Sequence, residues 1–166
     1  MTDKLWTGNV TAATYADGNT QLYQAAILEQ YKLYVEMADR TSARRIVTNS
    51  FFLTLNTAIL AAIGALWESD ASFGGATLLL PLGALLAECV MWFIIIRAYR
   101  LLNAAKFVVI GELEQRLPAS PYWHGEWAAL GYGEDHSKYQ PVTFSEQVVP
   151  VLFALVYVGT FLAAVS

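Results

Sequence analysis

Two long apolar runs joined by a short connector constrain this chain more than any other feature. The first run, 47–67, carries no charged residue, and the second, 76–96, carries only Glu88. Each run is about 20 residues long, which at ~1.5 Å per residue matches the ~30 Å hydrocarbon core of a bilayer. The connector, 68–75, has two acids, no base and a pair of glycines that allow a tight turn. We therefore predict a transmembrane helical hairpin over 47–97.

A third apolar run, 147–166, has no charge and is also long enough to span a membrane. Thr143 and Glu146 match the Thr-x-x-Glu pattern of a helix capping box. This pattern predicts a helix from Phe144 to about Val165, kinked at Pro150. A third span is the favoured interpretation, and an interfacial helix bent at Pro150 is the alternative.

Composition supports a small membrane protein. Charged residues make up 14% of the 166 residues, whereas soluble domains have about 25%. Three spans leave about 100 residues for everything else, which excludes a second large soluble domain. The net charge of −4 disfavours nucleic-acid binding, and the single cysteine, Cys89, excludes an intrachain disulfide. The polar first 20 residues lack a cleavable signal peptide, so the first run is expected to be an uncleaved anchor.

The basic residues predict the orientation. All ten Lys and Arg lie in 1–46 or 97–146, five in each segment, and the short connector has none. By the positive-inside rule, both segments are cytoplasmic, and a third span places the C-terminus on the periplasmic or extracellular side. Basic residues beside the spans are expected to contact lipid headgroups, with a specific ligand as the alternative. They are Arg40, Arg44, Arg45, Arg97 and Arg100.

Outside the spans, the pattern predicts cytoplasmic helices. An aromatic and apolar stripe from Tyr23 to Ala38 repeats at helical spacing, and it is expected to pack on the later cytoplasmic helix or on another subunit. The N-terminal arm is expected to be flexible or to dock through Trp6 and Tyr15. The predicted segments are an arm at 1–19, a cytoplasmic helix at 20–46, the hairpin at 47–97, a cytoplasmic helix at 98–117, an aromatic, Pro/Gly-rich cytoplasmic loop at 118–146 and the third transmembrane helix at 147–166.

Three polar residues stand out inside the spans. Asn49 and Asn56 are seven apart and share a helix face, which should point at another helix or at water. Glu88 lies near the middle of its run, where an unsolvated carboxylate is costly. Glu88 either faces a water-filled path or a subunit interface, or it is neutral and hydrogen-bonded to Asn56 or a neighbouring hydroxyl.

The aromatic loop contains side chains of metal-ligand type, but their spacing matches no known zinc or iron motif. The favoured interpretation is that they order the loop by hydrogen bonding. These residues are His124, Glu126, Asp135 and His136. The sequence has no phosphate-binding loop, dinucleotide-binding glycine motif or zinc-protease motif. We therefore predict no catalytic residue, no metal and no cofactor.

Several stretches resemble a known family. They are LEQYKLYVEMADRTSARR, NSFFLTLNTAIL, YWHGEW and LGYGEDHSKYQPVTFSEQVVP. They resemble the RipA-like family of small octameric bacterial membrane proteins over most of the chain. The resemblance implies a bacterial cytoplasmic-membrane octamer with a role in stress adaptation and host-associated growth, and it brings no catalytic residues. The layout also resembles two-span effectors of bacterial anti-phage systems, from which the third apolar run departs.

Together, these features predict an all-α integral membrane protein with three transmembrane helices and cytoplasmic helical extensions, assembled as a homo-oligomer. Its expected partners are other copies of itself and membrane lipids. The favoured function is that of a non-enzymatic ring, either a scaffold or a channel-like conduit for ions or small solutes. The alternatives are a membrane effector of a defence system and, less favoured, a metal-dependent membrane enzyme using the aromatic loop.

Overall fold

The structure is a computed structural model that describes residues 5–6, 11–15, 19–68, 75–134, 137 and 142–165. Helices make up almost all of this part, and it contains no strand. The helices are α1 (Thr20–Glu68), α2 (Gly75–Glu114), the short α3 (Trp127–Ala129) and α4 (Val142–Val165). Three further helical turns are Ala12–Thr14, Pro121–Glu126 and Gly131–Gly133. This architecture confirms the predicted all-α class.

The helices α1 and α2 are longer than the apolar runs that they contain. The predicted helices at 20–46 and 47–67 form one unbroken helix of 49 residues. At ~1.5 Å per residue it is about 73 Å long, more than twice the ~30 Å core of a bilayer. The second span likewise continues past Arg97 to Glu114. Neither junction contains a glycine or proline that would end a helix.

The chain divides into two compact units. The first unit comprises Met1–Ser42 and Leu101–Gln140, and the second comprises Ala43–Arg100 and Pro141–Ser166. The second unit therefore contains all three apolar runs. α1, α2 and α4 are each long and apolar enough to cross a membrane, as predicted.

An aromatic cluster forms the centre of the second unit. Trp92 is fully buried, and its ring stacks on Phe52 with centroids 5.6 Å apart. Phe153 of α4 lies on Trp92 at 5.9 Å, so one indole contacts both other helices. Many leucines elsewhere on these helices remain exposed, including Leu80 and Leu155. Exposed leucines of this kind suit a surface covered by lipid or by another subunit.

The first unit pairs the N-terminal part of α1 with the C-terminal part of α2. Ile27 and Ala38 are buried on α1, and Ile110 and Leu113 are buried on α2. The stripe predicted from Tyr23 to Ala38 thus packs on the later helix of the same chain. Two residues in the described part of the N-terminal arm contact these helices. Trp6 lies beside Arg116, whose guanidinium is 3.4 Å from the ring centre, and the Tyr15 ring lies 5.7 Å from the Tyr23 ring.

The ends of the predicted elements differ from the structure in two places. α2 ends at Glu114 rather than at residue 117, because the next residues form a tight turn in which the Leu117 amide donates to the Glu114 carbonyl at 3.0 Å. α4 begins at Val142, two residues before the predicted start. The segment after Pro118, which the sequence predicts to be a loop, contains the short helical turns Pro121–Glu126 and Gly131–Gly133.

Candidate functional site

A polar network lies in the middle of the second unit, where α1 and α2 meet. Asn56 of α1 is fully buried, with 0% of its surface exposed. Its side-chain nitrogen donates to Glu88 Oε1 of α2 at 2.8 Å and to the Phe52 carbonyl at 2.9 Å. A hydrogen bond between Glu88 and Asn56 is one of the alternatives that the sequence offers, and the structure brings these two side chains into direct contact.

The third helix completes this network from α4. The Tyr157 hydroxyl, on a side chain with 2% exposure, donates to Asn56 Oδ1 at 2.7 Å. The buried Cys89 thiol lies 3.9 Å from the same oxygen, as a weak donor. Because donors occupy Oδ1, the amide nitrogen of Asn56 must face the carboxylate. We call Asn56, Glu88, Cys89 and Tyr157 the Asn56 network.

Asn49 makes a second polar contact two turns earlier on α1. Its side-chain oxygen accepts a hydrogen bond from the indole nitrogen of Trp92 at 2.9 Å. Asn49 and Asn56 thus use the same face of α1 to bind α2. Sequence spacing identified the shared face, but it did not identify Trp92 or Tyr157 as partners, since aromatic residues in an apolar run are usually packing residues.

Glu88 is bound less completely than Asn56. The residue is half-buried, and within the described part of the chain only Oε1 accepts a hydrogen bond. Glu88 therefore remains partly open to the surface of the unit, near the middle of an apolar run. A carboxylate at this depth needs water or another polar group beside it.

Arg45 and Glu146 form an ion pair between α1 and α4. Arg45 Nε lies 3.6 Å from Glu146 Oε2, and the two side chains are only 19% and 13% exposed. The sequence assigned Arg45 to lipid headgroups and Glu146 to a capping box. In the structure α4 already begins at Val142, so Glu146 lies within the helix and faces α1.

The other predicted interfacial arginines are exposed. Arg40 pairs with Glu36 one turn away on α1 at 2.6 Å, and both side chains are more than half exposed. Arg44, Arg97 and Arg100 are exposed, and the described residues offer them no ion pair. Their contact with lipid headgroups stays a prediction.

A buried carboxylate that the sequence analysis missed organises the end of α2. Glu114 is 1% exposed, and its two oxygens accept four hydrogen bonds. The donors are the hydroxyls of Tyr31 (3.1 Å) and Ser120 (2.7 Å) and the backbone amides of Tyr122 (3.0 Å) and Trp123 (2.9 Å). Nothing in the local sequence distinguishes Glu114 from Glu112, because the donors come from distant or irregular segments.

Electrostatics at Glu114 favour the ionised form. Glu114 lies about 25 Å along the helix beyond Arg97, and thus outside the apolar run. Burial alone would raise the pKa of this carboxyl, but the four hydrogen bonds outweigh burial and lower it. Burial, together with the hydrogen bond to Glu114, raises the pKa of Tyr31 to about 12. Glu114 therefore acts as a fixed anion that joins α1, α2 and the turn at 121–126.

The predicted loop residues do not form a metal centre in the part of the chain that the structure covers. His124 and Glu126 are exposed, and Asp135 and His136 lie outside the described residues. Among the described residues, no group of three or more His, Cys, Asp or Glu could hold a metal ion. The His124 amide donates to Ser120 Oγ at 3.2 Å, so this residue helps to order the turn through its backbone.

Comparison with known proteins identifies the family. The model of the octameric membrane protein family matches residues 28–166, which include α2, α4 and most of α1. No curated protein and no solved structure matches the chain. The matched region contains the Asn56 network, the Arg45–Glu146 pair and Glu114. The chain therefore belongs to the octameric membrane protein family.

Proposed function

We propose that the octamer is a ring that conducts a small cation across a bacterial cytoplasmic membrane, with Glu88 facing the conducting path. The observation that carries this proposal is the half-buried Glu88 carboxylate, bound through one oxygen in the middle of an apolar run. In this proposal the protein is non-enzymatic and needs no cofactor.

The energetics of Glu88 favour a path over lipid. A charged side chain facing hydrocarbon costs about 2.5–3.5 kcal/mol on insertion scales. A neighbouring subunit or water would remove this cost. In a cyclic octamer, each copy would contribute Glu88 at the same depth, and rings of acidic side chains are a known basis of cation selectivity.

The Asn56 network supports this role because it would hold Glu88 in one position. Asn56 is itself fixed at three points: the Phe52 carbonyl, Glu88 and the Tyr157 hydroxyl. A side chain held by packed partners keeps its geometry better than a freely rotating one. Asn49 would brace the same helix pair through Trp92.

The proposed orientation follows the basic residues. We place the first unit in the cytoplasm and the end of α4 on the periplasmic or extracellular side, because all Lys and Arg lie outside the apolar runs and the short connector. A role in stress adaptation or host-associated growth is part of the proposal only through the resemblance to RipA-like proteins.

Ion flux through reconstituted octamers tests the proposal. Purified wild type, Glu88→Gln and Glu88→Ala would be placed in liposomes carrying a K⁺ or H⁺ gradient, and dye-reported flux would be followed. We expect flux in wild type and at least a tenfold loss in both variants. The matched control is Glu126→Gln, which removes an exposed carboxylate outside the apolar runs and should conduct like wild type.

Two outcomes of the flux experiment would contradict the proposal. If wild-type octamers of confirmed size conduct no cation under any gradient or voltage, the ring is not a conduit, and a scaffold role is the better explanation. Equal flux in wild type and Glu88→Gln would show that the path does not involve Glu88.

A further inference from the structure

Two apolar stripes in the first unit have no partner within the described chain. The α1 stripe comprises Leu22, Leu33 and Met37, and the α2 stripe comprises Leu101, Ala105 and Val108. Leu33 is 57% exposed and Leu101 is 60% exposed. We propose that the α1 stripe of one copy packs on the α2 stripe of the next copy, forming a head-to-tail interface around the octamer.

Each stripe lies on one face of its helix. Leu22 and Leu33 are eleven residues apart, or about three turns, and Met37 follows Leu33 by one turn. Leu101, Ala105 and Val108 follow an i, i+4, i+7 spacing, so they share one face of α2.

The two stripes point away from each other within one copy. α1 meets α2 through a different face, which includes Ile27 and Ala38, and α2 uses Ile110 and Leu113. One copy therefore presents two unlike apolar surfaces on two different helices. Unlike surfaces that bind each other generate head-to-tail contacts, and such contacts close into rings when the rotation allows it.

The position of the stripes along the helices indicates what covers them. Leu33 lies about 20 Å before the first apolar run, and Val108 lies about 17 Å after Arg97, at ~1.5 Å per residue. These two residues are therefore too far from the hydrocarbon for lipid chains to cover them, whereas Leu101, about 6 Å past Arg97, lies close to the boundary. The octameric family supplies the occupant, an identical copy.

The size of the stripes also suits a subunit contact. The α1 stripe is about 22 Å long from Leu22 to Met37 at ~1.5 Å per residue. A standard interface buries roughly 800 Å² on each partner, a patch about 28 Å across. Each stripe would therefore form the apolar centre of such a patch, with the neighbouring polar residues as its rim.

Contacts within one copy set the expected register. The Lys106 ammonium lies 5.2 Å from the Tyr34 ring centre, and Arg116 donates to the Tyr23 hydroxyl at 2.7 Å. These pairs place α1 and α2 antiparallel, with residue 34 level with residue 106. Rotation about an axis parallel to the helices keeps each residue at its level. Leu33 of one copy should then meet Val108 of its neighbour.

Disulfide cross-linking tests this interface in the full-length octamer. On a Cys89→Ser background, the double variant Leu33→Cys/Val108→Cys would be oxidised in membranes and run on a denaturing gel. We expect a ladder from dimer to octamer, because each copy links to two neighbours. Each single variant should remain monomeric, because a head-to-tail contact never brings two identical residues together.

The control pair shares one member with the test pair. Asp39→Cys/Val108→Cys places a thiol on an exposed residue of α1 about 120° around the helix from Leu33, and we expect no ladder. If the first pair prevents assembly, Met37→Cys/Leu101→Cys tests the same register nearer the apolar run. A ladder from a single variant, a ladder from the control, or monomers alone from an assembled test pair would overturn the proposal. None of these outcomes depends on whether the octamer conducts ions.

Discussion

Asn56 joins all three long helices, and among the described residues Glu88 is the only charged side chain that it binds. The 2.8 Å hydrogen bond between the two side chains crosses from α1 to α2, while Tyr157 reaches the other end of the Asn56 amide from α4. A single buried amide thus connects the three segments that must assemble in the membrane. Interhelical hydrogen bonds of this kind are each worth about 0.6–2 kcal/mol in bilayers.

Replacement of Asn56 by leucine should destabilise the fold. The variant Asn56→Leu removes the 2.7 Å acceptor of the Tyr157 hydroxyl, leaving it only a 3.4 Å contact with the backbone carbonyl of residue 56, and it removes the side chain that donates to Glu88. We expect a loss of about 2–4 kcal/mol in the free energy of unfolding, since each buried unsatisfied group costs roughly 1–3 kcal/mol. Thermal unfolding in detergent measures this loss of stability.

The neighbouring variant Thr57→Val is the control for this experiment. Thr57 is exposed, and its hydroxyl donates to the Leu53 carbonyl of its own helix at 2.8 Å. Its unfolding temperature should stay close to that of wild type. Equal losses in the two variants would contradict a special role for Asn56.

Tyr157 and Asn56 should be energetically coupled. In a double-mutant cycle with Tyr157→Phe and Asn56→Ala, we expect a coupling energy of about 0.5–2 kcal/mol, because each single change already removes the shared hydrogen bond. Thr160→Val in place of Tyr157→Phe is the control, since the Thr160 hydroxyl donates to the Val156 carbonyl of its own helix. A coupling energy near zero for the Tyr157 cycle would show that the 2.7 Å contact contributes little.

The membrane-spanning architecture was predictable because run length and charge distribution depend only on composition along the chain. A hydrogen bond between Asn56 and Glu88 was predictable as one alternative, because polar side chains near the middle of two apolar helices are stabilised by hydrogen bonds to each other. The partners Tyr157 and Trp92 were not, since nothing in an apolar sequence shows which aromatic side chain faces a polar one. Glu114 was missed for a related reason: two of its four donors are backbone amides of an irregular turn.

The close contact between Gly111 and Trp123 predicts that glycine is favoured over alanine at residue 111. A Cβ atom at residue 111 would lie 2.8 Å from the Trp123 ring. Alanine normally stabilises a helix by about 1 kcal/mol relative to glycine, but overpacking costs about 1–3 kcal/mol. We therefore expect Gly111→Ala to lower the unfolding temperature.

Gly125→Ala is the matched control, because its Cβ would lie an ordinary 3.5 Å from the Ser120 carbonyl oxygen. Its unfolding temperature should change little. A Gly111→Ala protein as stable as wild type would show that Trp123 can move aside without cost.

The Arg45–Glu146 pair should hold α4 against α1. Glu146→Ala leaves a poorly exposed Arg45 without this carboxylate, and breaking a buried pair costs about 3–5 kcal/mol. Because the two side chains are still 19% and 13% exposed, we expect a smaller loss, about 1–3 kcal/mol. The exchanged variant Arg45→Glu/Glu146→Arg should recover part of the stability, which unfolding in detergent would measure. If Glu146→Ala is as stable as wild type and the exchanged variant gains no stability, the ion pair does not hold α4 against α1.

Glu114 should make the stability of the first unit depend on acidity. The pKa of this carboxyl is lowered in the folded protein, whereas it is about 4.3 in an unfolded chain. The stabilisation is therefore fully present above about pH 4.3 and is lost as the pH falls through the lower folded pKa.

Glu114→Gln removes the charge and should lower stability at pH 7 by about 1.5–3 kcal/mol, the value of hydrogen bonds to a charged group. The difference between wild type and Glu114→Gln should shrink when unfolding is measured at progressively lower pH. Glu126→Gln, which changes an exposed carboxylate, should retain the pH dependence of wild type. A constant difference between wild type and Glu114→Gln from pH 7 to pH 3 would mean that the charge of Glu114 does not stabilise the turn at 121–126.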